Sequence, residues 1–410
     1  MAIIVQKFGG TSVADAGKIR RAAKRVIEAV NNGFEVVVVA SARGKQTDRL
    51  IADALELNPN PPERELDQLL STGEIQSVSL FAMALAAAGR DAISFTGAQI
   101  RMITDSVHTK ARIKSIDAEK IREQLGKGKI VLVAGFQGID ENGNITTLGR
   151  GGSDTSAVAL AAALGAKECE IYTDVDGIHT TDPRIFKEAA KMDLISYDEM
   201  LELASLGAGV MHTRAVEFGK KYDVKIHVRS SIEEKDGTII THEVPQMEDV
   251  VVSGATIQKD MAKIDLIGVD NKPGNAAKVF AALAGAKVVV SDIVQTEISA
   301  EKANLSFIIS TSDLRAAKEA VEQIKDGVNC QSVFVRDDIA EVSVVGVGMR
   351  THYGVAEKMF GALAKARINI DAITTSEIRI SCVVSKNQAE DALRTVSAAF
   401  ELDKLAQDRA

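Results

Sequence analysis

The stretch Ile3-Ile4-Val5-Gln6-Lys7-Phe8-Gly9-Gly10-Thr11-Ser12-Val13 decides how this chain is to be read. Its first six residues form a short, mostly apolar run of strand length. Two glycines follow, and a helical pattern runs from about Ala14 to Val30. Glycines at a strand-to-helix junction let backbone N–H groups come close to an anion, and the helix N-terminus adds partial positive charge. Lys7 places a full positive charge beside that nest. The Walker arrangement is absent, because no Gly-Lys-Ser or Gly-Lys-Thr follows at the required spacing. A tight turn with a surface lysine fits the same residue types, and both readings stand at this point.

Working outward, strand and helix patterns alternate. Glu35 to Ser41 reads as a strand bounded by Gly33 and Gly44, Lys129 to Phe136 as a strand, Ser153 to Leu164 as a helix and Cys169 to Thr173 as a strand. Continuous apolar strands separated by helices predict a largely parallel sheet covered on both faces, an α/β domain over residues 1–245. Glu243 to Asp249, with Pro245, is the expected linker. The second half repeats itself. Ile264 to Val269 aligns with Val342 to Val347, and Gly274 with Gly354. Ala276, Lys278, Phe280, Ala282, Leu283, Ala284 and Ala286 then match Ala356, Lys358, Phe360, Ala362, Leu363, Ala364 and Ala366, seven identities in eleven positions. Each copy reads strand, turn, helix, strand, with a further strand at Asn304 to Ser310 or Glu377 to Val384. This is a small α+β unit used twice, over 262–335 and 340–405, with 250–261 expected to add a strand to the pair. A duplicated packing module and a pair of effector-binding units both satisfy that pattern.

Composition narrows the class. Of 410 residues, 46% are hydrophobic and the formal net charge is −8, which suits folded domains and disfavours nucleic acid as a partner. Apolar runs such as Val36 to Ala40 are strand-sized, so neither a signal peptide nor a membrane span is expected. Three cysteines, Cys169, Cys330 and Cys382, lie far apart, in keeping with a reducing cytoplasm and no disulfide frame. The six histidines show no metal-ligand spacing, and no metal site in the protein is expected.

Two further stretches carry chemistry. In Thr147 to Ser156, Gly149, Gly151 and Gly152 surround Arg150, whose guanidinium can hold a carboxylate or phosphate through two bonds, and Ser153 or Asp154 is placed to cap the next helix. In Thr173 to Arg184, three aspartates follow a strand without calcium-loop spacing, which suits either a long loop or a nucleotide contact. Gly346-Val347-Gly348, with Asp371 further on, superficially suggests a dinucleotide fold. Thr351 stands where the third glycine belongs, and the segment is one copy of the repeat.

Taken together, Lys7 to Val13, Thr147 to Ala157 and Tyr172 to Arg184 resemble aspartate kinases of the amino acid kinase superfamily, and the repeat resembles their paired ACT units. The resemblance runs nearly end to end. It implies a three-layer kinase domain followed by two ferredoxin-like ACT units, transfer of the ATP γ-phosphate to the β-carboxylate of L-aspartate, magnesium carried by the nucleotide, and feedback by lysine, threonine or both. No fused homoserine dehydrogenase is expected in a chain of this length. Lys7 and Asp154 would be catalytic, and Lys7, Phe8, Gly9, Gly10, Ser41, Thr173, Asp174, His179, Asp182 and Arg184 would hold ATP. Thr47, Glu74, Arg150, Gly151, Gly152 and Ser153 would hold aspartate. Effectors would meet Asp270, Gly274, Asn275, Asp292 and Gln295 in the first unit, and Asn369, Ile370, Ser376 and Glu377 in the second. Copies would assemble through the ACT units, or with a separate ACT-only chain for which Met247 is a candidate start. On residue type alone, Glu74 reads as an ordinary carboxylate at an exposed helix start.

The chain departs from the family pattern in three places. Gly209 stands where a lysine near the ATP phosphates is usual, with Lys220 or Lys221 as substitutes. His179 replaces a tyrosine at the adenosine contact. Val289-Val290-Ser291 replaces the amide and carboxylate kept at Asn369-Ile370-Asp371. Gly209 and the intact second repeat motivate an alternative, a catalytically weak amino-acid-sensing subunit.

Overall fold

The computed structural model describes residues 1–242 and 251–404. The expected linker at Glu243 to Asp249 lies outside them, as does the last residue of the 340–405 unit. The chain divides into two compact units, Met1–His179 with Lys191–Gln246, and Thr180–Ala190 with Met247–Ala410. The kinase half is therefore not one contiguous run to 245, because the excursion Thr180–Ala190 folds with the second unit.

In the first unit, β1 (Ile3–Phe8), α1 (Ala16–Asn31), β2 (Glu35–Ala40), α2 (Gln46–Leu57), α3 (Glu63–Ala87), β3 (Ala92–Phe95), β4 (Ile130–Ala134), α4 (Gly152–Leu164), β5 (Glu168–Thr173), α5 (Thr213–Tyr222) and β6 (Ile226–Ser230) carry the architecture. The main sheet has eight strands. From one edge come Leu194–Ser196 and Thr238–Thr241, then β6, β5, β1, β2, β4 and β3. All pairs are parallel except Thr238–Thr241 with β6. Val36 to Ala40 and Ile130 to Ala134 are fully buried, as a sheet covered on both faces requires. Each valine, leucine or isoleucine among them contributes about 1.5–3 kcal/mol.

The run from Leu80 to Ala88 is longer than strand-sized, since it closes α3. That 25-residue helix is long and apolar enough by composition to cross a bilayer. Here Leu70, Val78, Phe81 and Leu85 are buried, Asp67 and Glu74 are buried beside them, and the helix serves as a core element.

The second unit is a six-stranded antiparallel sheet. Its elements are β7 (Gly254–Asp270), α6 (Asn275–Gly285), β8 (Val290–Glu297), β9 (Lys302–Ser310), α7 (Leu314–Ile324), β10 (Ser332–Val345), α8 (Val355–Lys365), β11 (Ala372–Thr375), β12 (Arg379–Ser385) and α9 (Ala389–Ala399). The strand order is β8-β9-β7-β10-β12-β11. Two long strands serve both repeats. Gly254 to Gln258 of β7 pairs with Glu341 to Val345, whereas Lys263 to Ile267 pairs with Ser332 to Arg336. The second repeat thus takes one strand from residues that precede the first. Gly346 ends β10 in an antiparallel sheet, which removes the dinucleotide reading, since that needs a parallel βαβ unit.

Within this unit Thr180 O accepts from Ala255 N, Ala190 N donates to Leu402 O, and Ile185 packs on the cluster of Val252, Val342, Met359 and Phe400.

Candidate active site

The site is built at the carboxyl ends of β1, β2, β4 and β5, where open parallel sheets place their ligand crevice. Alternation along β1 sends Phe8 into the core and Lys7 the other way. Phe8 is fully buried, stacked on Tyr172 at 4.8 Å and edge-on to Phe81. It can therefore offer a nucleotide its backbone but not its ring, which narrows the expected ATP contact at that position. Lys7 Nζ lies 2.5 Å from Asp154 Oδ1, and both side chains are nearly buried.

Gly9 N donates to Tyr172 O, Ser41 N to Phe8 O and Gly44 N to Gly10 O, which locks the turn. A Cβ on Gly10 would stand 2.5 Å from Ala42 O, so only glycine allows this closeness.

Ser153 and Asp154 were the expected caps of α4, but the cap is Gly151, in the left-handed region at φ 69°, and no side chain caps the helix. Asp154 turns to Lys7 instead, and the ungated helix start leaves its positive end toward the crevice. Ser153 stands against Gly135 at the end of β4. Any side chain on Gly151 would strike the His212 ring, about 2.3 Å from its Cβ and Cγ. Arg150 is exposed, free of hydrogen bonds and ion pairs among the described residues.

Glu74 is not at a helix start. It sits in the middle of α3 and is only 3% exposed. Gly73 brings the helix against the loop after β2, since a Cβ there would meet the Ala42 Cβ at 2.8 Å. Glu74 Oε1 accepts from Ala42 N at 3.0 Å, and Oε2 is enclosed without a partner. Burial pushes its pKa up to about 8, opposed by the Ala42 N–H. Once it loses its proton, this enclosed carboxyl with an unsatisfied oxygen can receive a cation. Thr47 lies in the first turn of α2, half-buried.

On the far side of β5, Thr173 Oγ1 donates to Asp174 Oδ1, and His179 Nε2 lies 2.9 Å from Asp176 Oδ1, holding that carboxyl below its usual range. Asp182 and Arg184 belong to the excursion Thr180–Ala190 that clusters with the second unit, and there Arg184 grips both oxygens of Asp182. Lys220 and Lys221, the candidate substitutes for the lysine replaced by Gly209, have partners of their own. They close α5, while Gly209 precedes its start; Lys220 pairs with Asp198 at 2.6 Å and Lys221 lies over the Tyr222 ring. A Cβ on Gly209 meets nothing within 4 Å. Gly209→Lys is therefore expected to fold normally and to lower the KM for ATP about fivefold, the worth of one added solvent-exposed charge contact. Steady-state kinetics at varied ATP checks it.

Sequence reading missed two groups. His212 packs on Gly151, and burial lowers its pKa, keeping the ring neutral near pH 7. Asp67, fully buried on α3, ties down the segment before Arg150. Glu168, Glu170 and His227 converge on β5 and β6, but Arg229 lies 2.6 Å from Glu170 and Lys225 3.4 Å from Glu168, so this cluster already has its cations.

Comparison with known proteins settles the ancestry. The amino acid kinase family profile matches residues 2–230, and an ACT domain profile matches 342–400. The aspartokinase of Bacillus sp. (strain MGA3) is 50% identical over 402 residues, 98% of each chain. The chain belongs to the aspartokinase family. Aspartokinase 2 of Bacillus subtilis is 47% identical, covering 98% of this chain and 99% of its own. Among solved structures, E. coli aspartokinase III in complex with aspartate and ADP superposes with a TM-score of 0.83 at 26% identity, over 97% of this chain and 99% of that one. As an aspartokinase, this chain carries the family's kinase unit and its ACT region.

In the ACT region, a cavity of about 300 Å³ is lined by Asp270, Gly274, Asn275 and Gln295 together with Lys272 and Leu305. Asp270 is held well below the usual carboxylate range by Asn329, Lys272 and Lys302. Asn275 Nδ2 donates to Asp270 O. Asp292 is not on this wall; it turns to Arg379 at 3.2 Å. In the second repeat a cavity of about 310 Å³ is lined by His352, Tyr353, Gly354, Lys358 and Phe400, not by Asn369, Ile370, Ser376 or Glu377. Asp371 pairs with Arg336, Glu377 with Arg350, Asn369 Nδ2 donates to Asp371, and Ser376 Oγ accepts from Ile378 N.

Proposed function

We infer that this chain is an ATP-dependent aspartate kinase, transferring the γ-phosphoryl group to the β-carboxylate of L-aspartate to give 4-phospho-L-aspartate. The observation that carries it is the Lys7–Asp154 pair beside the Gly9-Gly10 nest, with the buried Glu74 at the adjoining loop.

The acceptor carboxylate has a reference pKa of about 4, so it is ionised near neutrality and needs no general base. What the protein must do is bring two anions together. The glycine nest and the ungated start of α4 receive the phosphates. Lys7 neutralises charge on the moving phosphoryl group, with Asp154 holding its ammonium in place. Glu74 takes the substrate ammonium and Arg150 its α-carboxylate, which orients the β-carboxylate. Magnesium carried in on the nucleotide would supply the remaining charge shielding at the phosphate oxygens.

The weak regulatory subunit is not favoured, because the kinase unit has a whole crevice and its relatives at full coverage are aspartokinases. Feedback by lysine, threonine or both at the ACT cavities is part of this proposal, supported by the E. coli aspartokinase III structure with lysine and aspartate. So are a cytoplasmic location, a place at the first step toward lysine, threonine and methionine, and assembly through the ACT units or with an ACT-only chain. Val289, Ile293, Val294 and Ile298, exposed on and beside the edge strand β8, support such pairing. Asp270→Asn is expected to raise the effector concentration for half-inhibition about tenfold, since Asp270 fixes Lys272, a cation on the cavity wall that an effector carboxylate can meet.

The test of function is ADP release from magnesium ATP with L-aspartate, L-glutamate, N-acetylglutamate or no acceptor, each with and without lysine plus threonine. Release that requires aspartate establishes the kinase. A folded sample that binds lysine or threonine yet releases no ADP overturns it.

A further inference from the structure

Asp67 is a carboxylate with no solvent exposure that the reaction itself does not use. It lies on α3, and every partner it has is remote in sequence. Both of its oxygens accept from Thr109 N at 3.0 Å, Oδ1 also accepts from Thr147 Oγ1, and Oδ2 lies 2.7 Å from His108 Nδ1. A second tie runs in parallel. Arg214 of α5 donates to Leu148 O and to Ala111 O, and Ala111 N donates to Thr147 O. Thr109 is held at φ 64°, and its carbonyl oxygen would lie only 2.9 Å from a Cβ on Gly149. Residues 108–111 are thus clamped to residues 147–149, directly before Arg150.

Asp67 and Glu74 are seven residues apart on one helix. Two turns separate them, so they share a face and stand about 10.5 Å apart along the axis. We propose that Asp67 is a positioning residue for the acceptor: it sets the Arg150 loop against α3, so that one rigid helix fixes both the carboxylate that takes the substrate ammonium and the loop that takes its α-carboxylate. The helix then acts as a ruler for the two ends of an α-amino acid. This rests on the reading that Arg150 binds the α-carboxylate. Asp67 touches no substrate and works through Arg150. Its loss is therefore expected to act on aspartate alone, whereas simple damage to the fold would affect both substrates.

The experiment is steady-state kinetics on the full chain for Asp67→Asn, Thr147→Val, Arg150→Ala and the double variant Asp67→Asn/Arg150→Ala, with thermal melting as a fold control. Asp67→Asn is expected to raise KM for aspartate about ten- to a hundredfold, with KM for ATP and kcat moving far less. In the double variant, KM for aspartate should match that of Arg150→Ala alone, because the loop then has no guanidinium to position. Should Asp67→Asn fail to fold, Thr147→Val, which deletes one bond to the same carboxylate, carries the same test with a smaller shift. Equal rises in both KM values, or losses that multiply in the double variant, overturn the proposal. If Arg150→Ala leaves KM for aspartate unchanged, the reading of Arg150 has failed, and the proposal fails for that reason rather than its own.

Discussion

Lys7→Met is expected to lower kcat by about a thousandfold while KM for aspartate changes only a few-fold. Lys7 Nζ stands beside the glycine nest, 3.6 Å from where a Cβ on Gly9 would lie, and its charge is expected to matter most when the phosphoryl group is in flight. Removing one preorganised donor from a transition state of this kind typically costs two to three orders of magnitude. The ion pair with Asp154 sharpens the expectation. Both side chains are nearly buried at 2.5 Å, so the lysine waits with its ammonium already fixed and pays little reorganisation on reaction. The substitution also strands the Asp154 carboxylate, and leaving one member of a buried pair alone is itself destabilising. Lys7→Met/Asp154→Asn, which removes both charges, should recover much of the melting temperature and none of the rate. Single-turnover kinetics beside thermal melting separates the two effects. A kcat within tenfold of the parent would remove Lys7 from the chemistry.

Glu74→Gln is expected to raise KM for aspartate about a hundredfold, with KM for ATP nearly unaltered. Truncating one partner of a buried charge pair costs several kcal/mol, and a hundredfold corresponds to about 2.7 kcal/mol. The pH dependence carries more information than the size. With its pKa raised to about 8, Glu74 holds a proton in the free protein at neutral pH, and an incoming ammonium must displace it. kcat/KM for aspartate should therefore climb as pH rises toward 8 and level off above it. That limb should vanish in Glu74→Gln.

The same group links binding to stability. Its folded pKa of about 8 lies above its ordinary 4.5, so the folded state binds the proton more tightly than the unfolded chain. That contribution is fully present below pH 4.5 and is lost as pH rises to 8. Glu74→Gln should consequently melt higher than the parent at pH 8, and by less at pH 5. Saturating aspartate should narrow the difference at pH 8. A parent whose melting temperature is no lower than that of the variant at pH 8 would show that Glu74 is not strained by burial.

Much of this was legible in the sequence, and the residues that escaped show why. The β1 junction, the glycine-flanked Arg150 and the internal repeat declare themselves through local spacing, because turns, nests and helix starts are made by neighbours in the chain. The cap of α4 is Gly151, two residues before the first candidate capping side chain, Ser153. Ser153 and Asp154 are good capping types, but Asp154 is drawn instead to Lys7, which lies more than a hundred residues away in sequence. Phe8 sits next to the glycine nest in sequence, but strand alternation turns its ring into the core, where it stacks on Tyr172.

Asp182 and Arg184 follow the nucleotide-facing run without a break in composition. Nothing in their residue types says that the chain leaves one unit there and joins the other. Asp67 could not be found by pattern, since a buried aspartate on a helix is spelled like an exposed one. Its partners lie 41 to 80 residues distant.

The interlaced strands of the ACT region set the smallest piece of this protein that can be cut free. Because Gly254 to Gln258 completes the second repeat while Lys263 to Ile267 completes the first, neither repeat can be excised without opening the other's sheet. A fragment starting downstream of Gln258 leaves Glu341 to Val345 with an open edge, the kind of edge that recruits other chains. A fragment starting at Met247 keeps the strand but lacks Thr180–Ala190, which uncovers the apolar seat of Ile185 and frees the Ala255 N–H from the Thr180 carbonyl. An engineered sensor made from this half should therefore begin before Gly254 and carry a graft of the excursion or a polar replacement for its seat.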